Sequence, residues 1–419
     1  MATPLKLTKL PGSQAAQLTV PELAEDATVR QSIQWFSREK HWINEQHLQL
    51  CRIPAPTFLE ERRAEWMVAR FRQMGCDARI DRAGNVIAHL EGKPGAGPFV
   101  ALTAHLDTVL APRTGDEITV GGDGTLRGPG VSDNGAGLCA LLAIAKAFKT
   151  SPRLEGSTAS LLFVANVGEE GEGNLSGMRY LCKQWPLASK IRSFVVLDGP
   201  ATEHITCQAL ASRRYEIAFA GSGGHSWSDF GTGNPVHALA RAIALFADGQ
   251  WETGPGSAPR TSFNFGMIDG GSSINSIPTA ARAKIDLRSE RGQKLDELSQ
   301  ALTASVERSL QVENERASGG KLTAKIKEIG SRPGGKVPEG APILNYIRAV
   351  DAHLGIRSHQ DCASTDANIP LSMNLPAISI GAGGQGGGAH TPSEWYHPEG
   401  REVGLKRILL TLCLLLREE

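Results

Sequence analysis

The sequence predicts an α/β protein into which a smaller β-α-β-β-α-β unit is inserted. Three observations carry this expectation. Short continuous apolar runs, such as ASLLFVAN (159–166) and SFVVLD (193–198), suit interior strands covered on both faces. Segments with helical spacing separate them, and strands alternating with helices imply a layered architecture. Between about residues 208 and 330 the pattern changes to alternating, half-exposed strands around two helical stretches.

In chain order, residues 27–50 carry apolar residues at helical spacing (Ile33, Trp35, Phe36, Trp42, Ile43). Thr57-Phe58-Leu59-Glu60 has the form of a capping box, opening a helix to about Met74 that Gly75 could end. GNVIAHLEG (84–92) and FVALTA (99–104) read as strands. GAGLCALLAIAKAF, after Asn134, is apolar nearly all round and reads as a buried helix. In the middle region strands are expected at 213–220, 261–268, 279–287 and 321–329, with helices near 234–247 and 293–311. This is a ferredoxin-like order. SRPGGKVPEG (331–340) reads as a turn-rich linker, followed by the strand PAISIG (376–381) and a terminal helix. The expected domains are therefore 1–207 with 331–419, and the insertion 208–330.

The chain has 419 residues, with 44 basic and 44 acidic side chains, so neither a nucleic-acid nor an anionic-membrane partner is indicated. The 7 cysteines are odd in number and contain no CxxC pair, against a disulfide framework or zinc finger and in favour of a reducing compartment. MATPLKLTKLPGSQ lacks the apolar core of a signal peptide, and no run reaches the roughly 18 apolar residues of a membrane span. A cytoplasmic protein is expected.

The chemistry-bearing residues sit where apolar strands end. FVALTA runs into His105 and Asp107, which point the same way from an extended segment. Asp133 lies in the Gly-rich turn GPGVSDNGAG before a buried helix, where it could equally be a helix cap. Glu169 and Glu170 follow ASLLFVAN; adjacent carboxylates there need a cation or a proton unless the turn is solvated. Asp198 ends SFVVLD, and His390 follows PAISIG in a glycine-rich loop without the features of a phosphate loop. Each feature alone has a plain structural explanation. Together they place two histidines and several carboxylates at one sheet edge, which suits a divalent metal, zinc being typical of N/O ligands. The surplus of carboxylates suits two ions sharing one of them. His237, His353 and His359 carry no such pattern, while His397 follows the glycine-rich loop closely enough to line the site.

The segments AHLDTV, GPGVSDNGAG, GEEGEGNLSG, VVLDG, GSGGHS, GGSSINSIP, KIDLRS, STDANIP and GAHTPSEW resemble, in this order, the co-catalytic zinc exopeptidase family of peptidase T (tripeptide aminopeptidase), glutamate carboxypeptidase and acetylornithine deacetylase. The resemblance covers the chain from about residue 45 onward. It implies a zinc-exopeptidase-like catalytic domain, a mixed sheet covered by helices, with the insertion as lid and dimerisation domain. It also implies two Zn2+ per subunit, with Mn2+ or Co2+ as possible replacements. His105 and Asp198 would bind one ion, Glu170 and His390 the other, and Asp133 would bridge them, followed by a cis peptide. Asp107 would orient His105, and Glu169 would be the general base. His225 would stabilise the oxyanion, while Asn275 and Arg288 would bind substrate. A homodimer through the inserted domain is implied.

Asp rather than Glu at position 198, with STDANIP and GAHTPSEW, resembles the peptidase T-like branch and implies an aminopeptidase acting on short peptides. A deacylase or carboxypeptidase of the same family is the alternative, and a non-catalytic binding relative a more remote one.

Overall fold

The computed structural model describes residues 19–90, 98–150, 157–249, 251 and 259–417. Its main element is a nine-stranded mixed sheet. In order, it runs Asp77–Ile80, Val86–His89, Ser160–Asn166, Phe99–His105, Ile191–Leu197, Ala377–Ile380, His204–Ala209 and Gly335–Lys336, with His359–Ala363 also on His204–Ala209. The four central strands, from Ser160–Asn166 to Ala377–Ile380, are mutually parallel. Every residue of Ser160–Asn166 is buried, as its uninterrupted apolar sequence requires. The helix Gly135–Thr150 packs on this sheet with Leu138, Leu141, Leu142 and Ile144 buried, and Arg401–Leu416 lies beside it.

Ala211–Ala220, Pro235–Ala247, Thr261–Gly270, Ala280–Ser289, Gly292–Arg316 and Thr323–Arg332 realise the expected β-α-β-β-α-β order. Their four strands form a separate antiparallel sheet with its own apolar core, including Ile217, Phe219, Phe246 and Leu298. Asn234 caps the first of these helices through the amides of Val236 and His237, with Pro235 opening it.

Two local expectations are corrected. Glu61–Gln73 is a helix, and Gly75 follows its end at φ 75°, but Thr57 and Glu60 form no cap on it. Thr57 Oγ1 donates to Asp107 instead, and Glu60 Oε1 accepts from the amide of Gly168. The segment 331–340 is not only linker. Residues 331–332 finish a strand of the inserted unit, and Gly335–Lys336 pairs with His204–Ala209. The helical spacing of residues 27–50 is met by two helices, Ala27–Arg38 and Lys40–Cys51.

A four-stranded sheet of short strands, Gln385–Gly387, Trp395–His397, Leu126–Arg127 and Thr119–Val120, joins the loop bearing His390 to the loop before Asp133. Among the described residues, no helix is long and apolar enough to cross a membrane.

Candidate metal centre

Parallel strands deliver their C-terminal ends to one sheet edge, where ligands bind in α/β proteins. Phe99–His105 ends in His105; Ser160–Asn166 leads to Glu169 and Glu170; Ile191–Leu197 leads to Asp198. One ligand atom from each of His105, Asp133 and Glu170 falls within 4.8 Å of the others. The two oxygens of Asp133 face different histidines: Oδ1 lies 3.1 Å from His105 Nε2, and Oδ2 lies 3.1 Å from His390 Nε2. His390 Nε2 is also 2.9 Å from Glu170 Oε1. The peptide between Asp133 and Asn134 is cis.

Asp107 organises the opposite side. Its Oδ1 stands 3.6 Å from His105 Nδ1, whose nearer contact is the Asp107 carbonyl at 2.9 Å. The carboxylate accepts instead from the amides of Glu169 (3.0 Å) and Glu170 (2.9 Å) and from Thr57. One buried aspartate thus fixes the turn that presents both glutamates. Gly168, at φ 65°, makes that turn, and a Cβ there would meet Ser176 Oγ at 2.2 Å.

Two further residues, Glu394 and Arg332, take part. Glu394 accepts from the amides of Gly130 (2.7 Å), Ser132 (2.8 Å) and Asp133 (2.8 Å), locking the Asp133 loop to the C-terminal segment. Arg332, in the supposed linker, donates from Nη1 to Glu169 Oε1 at 2.8 Å and to Ser364 Oγ at 3.0 Å, and from Nη2 to the Glu169 carbonyl. Both partners of the Arg332–Glu169 pair are buried. The SEW of GAHTPSEW was a signal for Glu394; Arg332 had none.

The donor set fits divalent cations: two imidazoles converge with carboxylates that crowd one another. Burial and the neighbouring Glu169 push Glu170 up to about 7. Burial, with Asp133 beside it, holds Asp198 well above the carboxylate range. Asp366, buried and hydrogen-bonded by Asn166, is raised to about 7 by burial and by Glu169. His390 is raised to about 9 by its hydrogen bond to Asp133. For His105, burial opposes the charge, but the adjacent carboxylates of Asp107 and Asp133 outweigh it and hold the value well above the ordinary one.

These shifts have a consequence for stability. A group whose folded value is raised stabilises the fold below its unfolded value and loses that contribution as pH rises through the folded one. Glu170, Asp366 and His390 all act in this sense. Asp107 and Asp133 are held down, so their contributions are lost only in acid. Metal-free protein is therefore expected to lose thermal stability between about pH 5 and pH 8, and a divalent cation to restore it at the upper end. Calorimetry in chelator checks this; a midpoint flat or rising across the window contradicts it.

Three expected site residues of the inserted unit do not join the cluster. His225 is exposed, and none of the described contacts of His225, Asn275 or Arg288 reaches the cluster. Asn275 accepts from Ser273, and Arg288 Nε donates to Asp286 at 2.6 Å. Nδ1 of His225 accepts from the amides of Trp227 (3.2 Å) and Ser228 (3.3 Å), which leaves the proton on Nε2. Lys284 reaches Glu172 at 3.2 Å, and Arg214 reaches the Gly171 carbonyl, so the inserted sheet touches the glutamate turn. His397 bonds the Asp123 carbonyl and lines a separate surface cavity with Phe36 and Lys40.

Residues 85–217 match peptidase family M28, and residues 211–313 match a peptidase dimerisation domain. Among curated relatives, a succinyl-diaminopimelate desuccinylase of Hahella chejuensis is 23% identical over 58% of this chain and 65% of its own length. One from Xanthomonas oryzae is 27% identical over 51% and 62%. The chain thus spans under two thirds of the length of these relatives. Among solved structures, a tripeptidase of Staphylococcus aureus has a TM-score of 0.73 at 19% identity, covering 90% of this chain and 99% of that one. The aminopeptidase PepT of Bacillus cereus scores 0.70 at 18%, covering 90% and 98%. A dinuclear metal-binding peptidase from the M20 family, from Bacillus subtilis, scores 0.65 at 15%, covering 91% and 99%. The chain shares their fold.

Proposed function

We propose that the chain is an exopeptidase of the aminopeptidase type, cleaving the amide bond of short peptides with two zinc ions and Glu169 as general base. The observation that carries this is the placement of Asp133 between His105 and His390, with Glu169 and Glu170 on one aspartate-held turn. His105 and Asp198 would hold one ion, Glu170 and His390 the other, and Asp133 both. When bound, such ions acidify water and polarise a carbonyl. Glu169 takes the proton of the attacking water and passes it to the leaving amine. Closure of the inserted unit brings the Nε2 proton of His225 to the developing oxyanion, and Asn275 and Arg288 to the substrate. Arg288 can bind a carboxylate through its planar fork. A homodimer through the inserted unit belongs to this proposal. Its edge strand Thr261–Gly270 leaves Met267 and Ile268 exposed, and its sequence matches a dimerisation domain.

Arg332 should hold the base in register. Arg332→Met is expected to lower kcat by about ten- to a hundredfold, the range for groups that orient a reacting one, with KM little changed and partial rescue by Arg332→Lys. Steady-state kinetics on one tripeptide separate the two parameters; a change confined to KM contradicts the assignment.

A second reading, removal of an acyl group from an amino acid, is favoured by the desuccinylases among the relatives. The deciding assay offers a zinc-loaded sample one tripeptide free and N-acetylated, and an N-succinyl amino acid, beside Glu169→Ala. Cleavage of the free peptide alone, lost in the variant, supports the aminopeptidase. Cleavage of the acylated substrates alone replaces it with the deacylase.

A further inference from the structure

A second His–Asp group lies outside the centre described above. His204 opens the strand His204–Ala209, and His359 and Asp361 lie two apart on His359–Ala363. The strands pair in parallel, with His359 opposite His204 and Asp361 opposite Thr206. Alternate residues of a strand share a face, so the register alone sets these side chains together. One ligand atom from each of His204, His359 and Asp361 lies within 4.8 Å of the others. His204 Nδ1 is 2.8 Å from Asp361 Oδ2, and the two imidazoles meet edge to face with centroids 4.5 Å apart. Thr206 Oγ1 donates to the other Asp361 oxygen at 2.6 Å, orienting the carboxylate as outer-shell donors do at metal sites. The side chains of His204 and Asp361 are 47% and 28% exposed, so an ion can enter from solvent.

We propose that His204, His359 and Asp361 form a further metal site, for a borderline divalent ion of the zinc class, with water completing its coordination. Two imidazoles and one carboxylate suit such an ion, whereas calcium and magnesium take oxygen ligands. The site clips together two strands with different duties. His204–Ala209 leads through Leu210 into the inserted unit, and His359–Ala363 leads to Ser364, which bonds Arg332, and to Asp366. The Leu210 amide donates to the Ala363 carbonyl where the two diverge.

The test is the zinc stoichiometry of the full chain at neutral pH, by equilibrium dialysis with elemental analysis, for wild type, His359→Ala and His204→Gln. Each variant is expected to bind one equivalent fewer than wild type and to keep the rest. Magnesium at the same free concentration is expected to give no such difference. The difference of one equivalent does not depend on how many ions the His105 centre holds. An Asp133→Ala background, which damages only that centre, should retain the difference. Equal stoichiometry in wild type and variants overturns the proposal, as does a loss in both variants that extends to the remaining equivalents, or a matching difference with magnesium.

Discussion

Replacing Glu169 by glutamine is expected to lower kcat by about 10²–10⁴, the range of general acid–base catalysis, with bound metal unchanged. Glutamine keeps the size of the side chain, and its amide oxygen can still accept from Arg332 as Glu169 Oε1 does at 2.8 Å. The Asp107 bonds go to the main-chain amides of 169 and 170, so the turn survives the substitution. What is lost is a group that can take up a proton. Turnover and metal content measured on the same sample separate base from ligand. A variant within tenfold of wild type assigns the proton transfer elsewhere, and a variant that loses metal makes Glu169 a ligand.

The second large effect is expected at Asp133. Asp133→Ala should weaken metal binding by more than about 100-fold, beyond the range for outer-shell partners, and abolish turnover at ordinary metal concentrations. Both carboxylate oxygens are engaged, one toward each histidine, so one deletion opens both halves of the cluster. Asp366→Asn is the contrasting control: the Asp366 carboxylate accepts from Asn166, and neutralising it should leave metal binding within a few-fold of wild type. Titration with a competing chelator reads both. Retention of both ions by Asp133→Ala contradicts the bridging role.

Most of this was legible in the sequence because apolar strands announce themselves and the reactive side chains follow their ends directly. The ends of apolar runs drew attention to His105, Glu169 and Glu170, while their roles came from the resemblance, and the β-α-β-β-α-β order of the insertion followed from alternation. The reading failed where a residue's partner is distant in the chain. Thr57 and Glu60 have the spacing of a cap, but Asp107 and Gly168 offer them buried partners, and tertiary contact won over the local one. Arg332 lies among prolines and glycines that signal a turn, and only the fold shows that it reaches a glutamate 163 positions earlier. The strands His204–Ala209 and His359–Ala363 are short and polar at their starts, so periodicity passed them over. The motifs placed His225, Asn275 and Arg288 on the insertion but carry no information on what these side chains touch.

The lock that Glu394 places on the Asp133 loop has a consequence for the order of synthesis. Gly130, Ser132 and Asp133 leave the ribosome more than two hundred and fifty residues before the carboxylate that holds their amides. His390 arrives with it, on the same loop. The nascent chain therefore carries the glutamate turn and His105 long before it carries a complete metal centre. A chain interrupted anywhere before this loop lacks both His390 and the clasp, so it cannot assemble the cluster around Asp133.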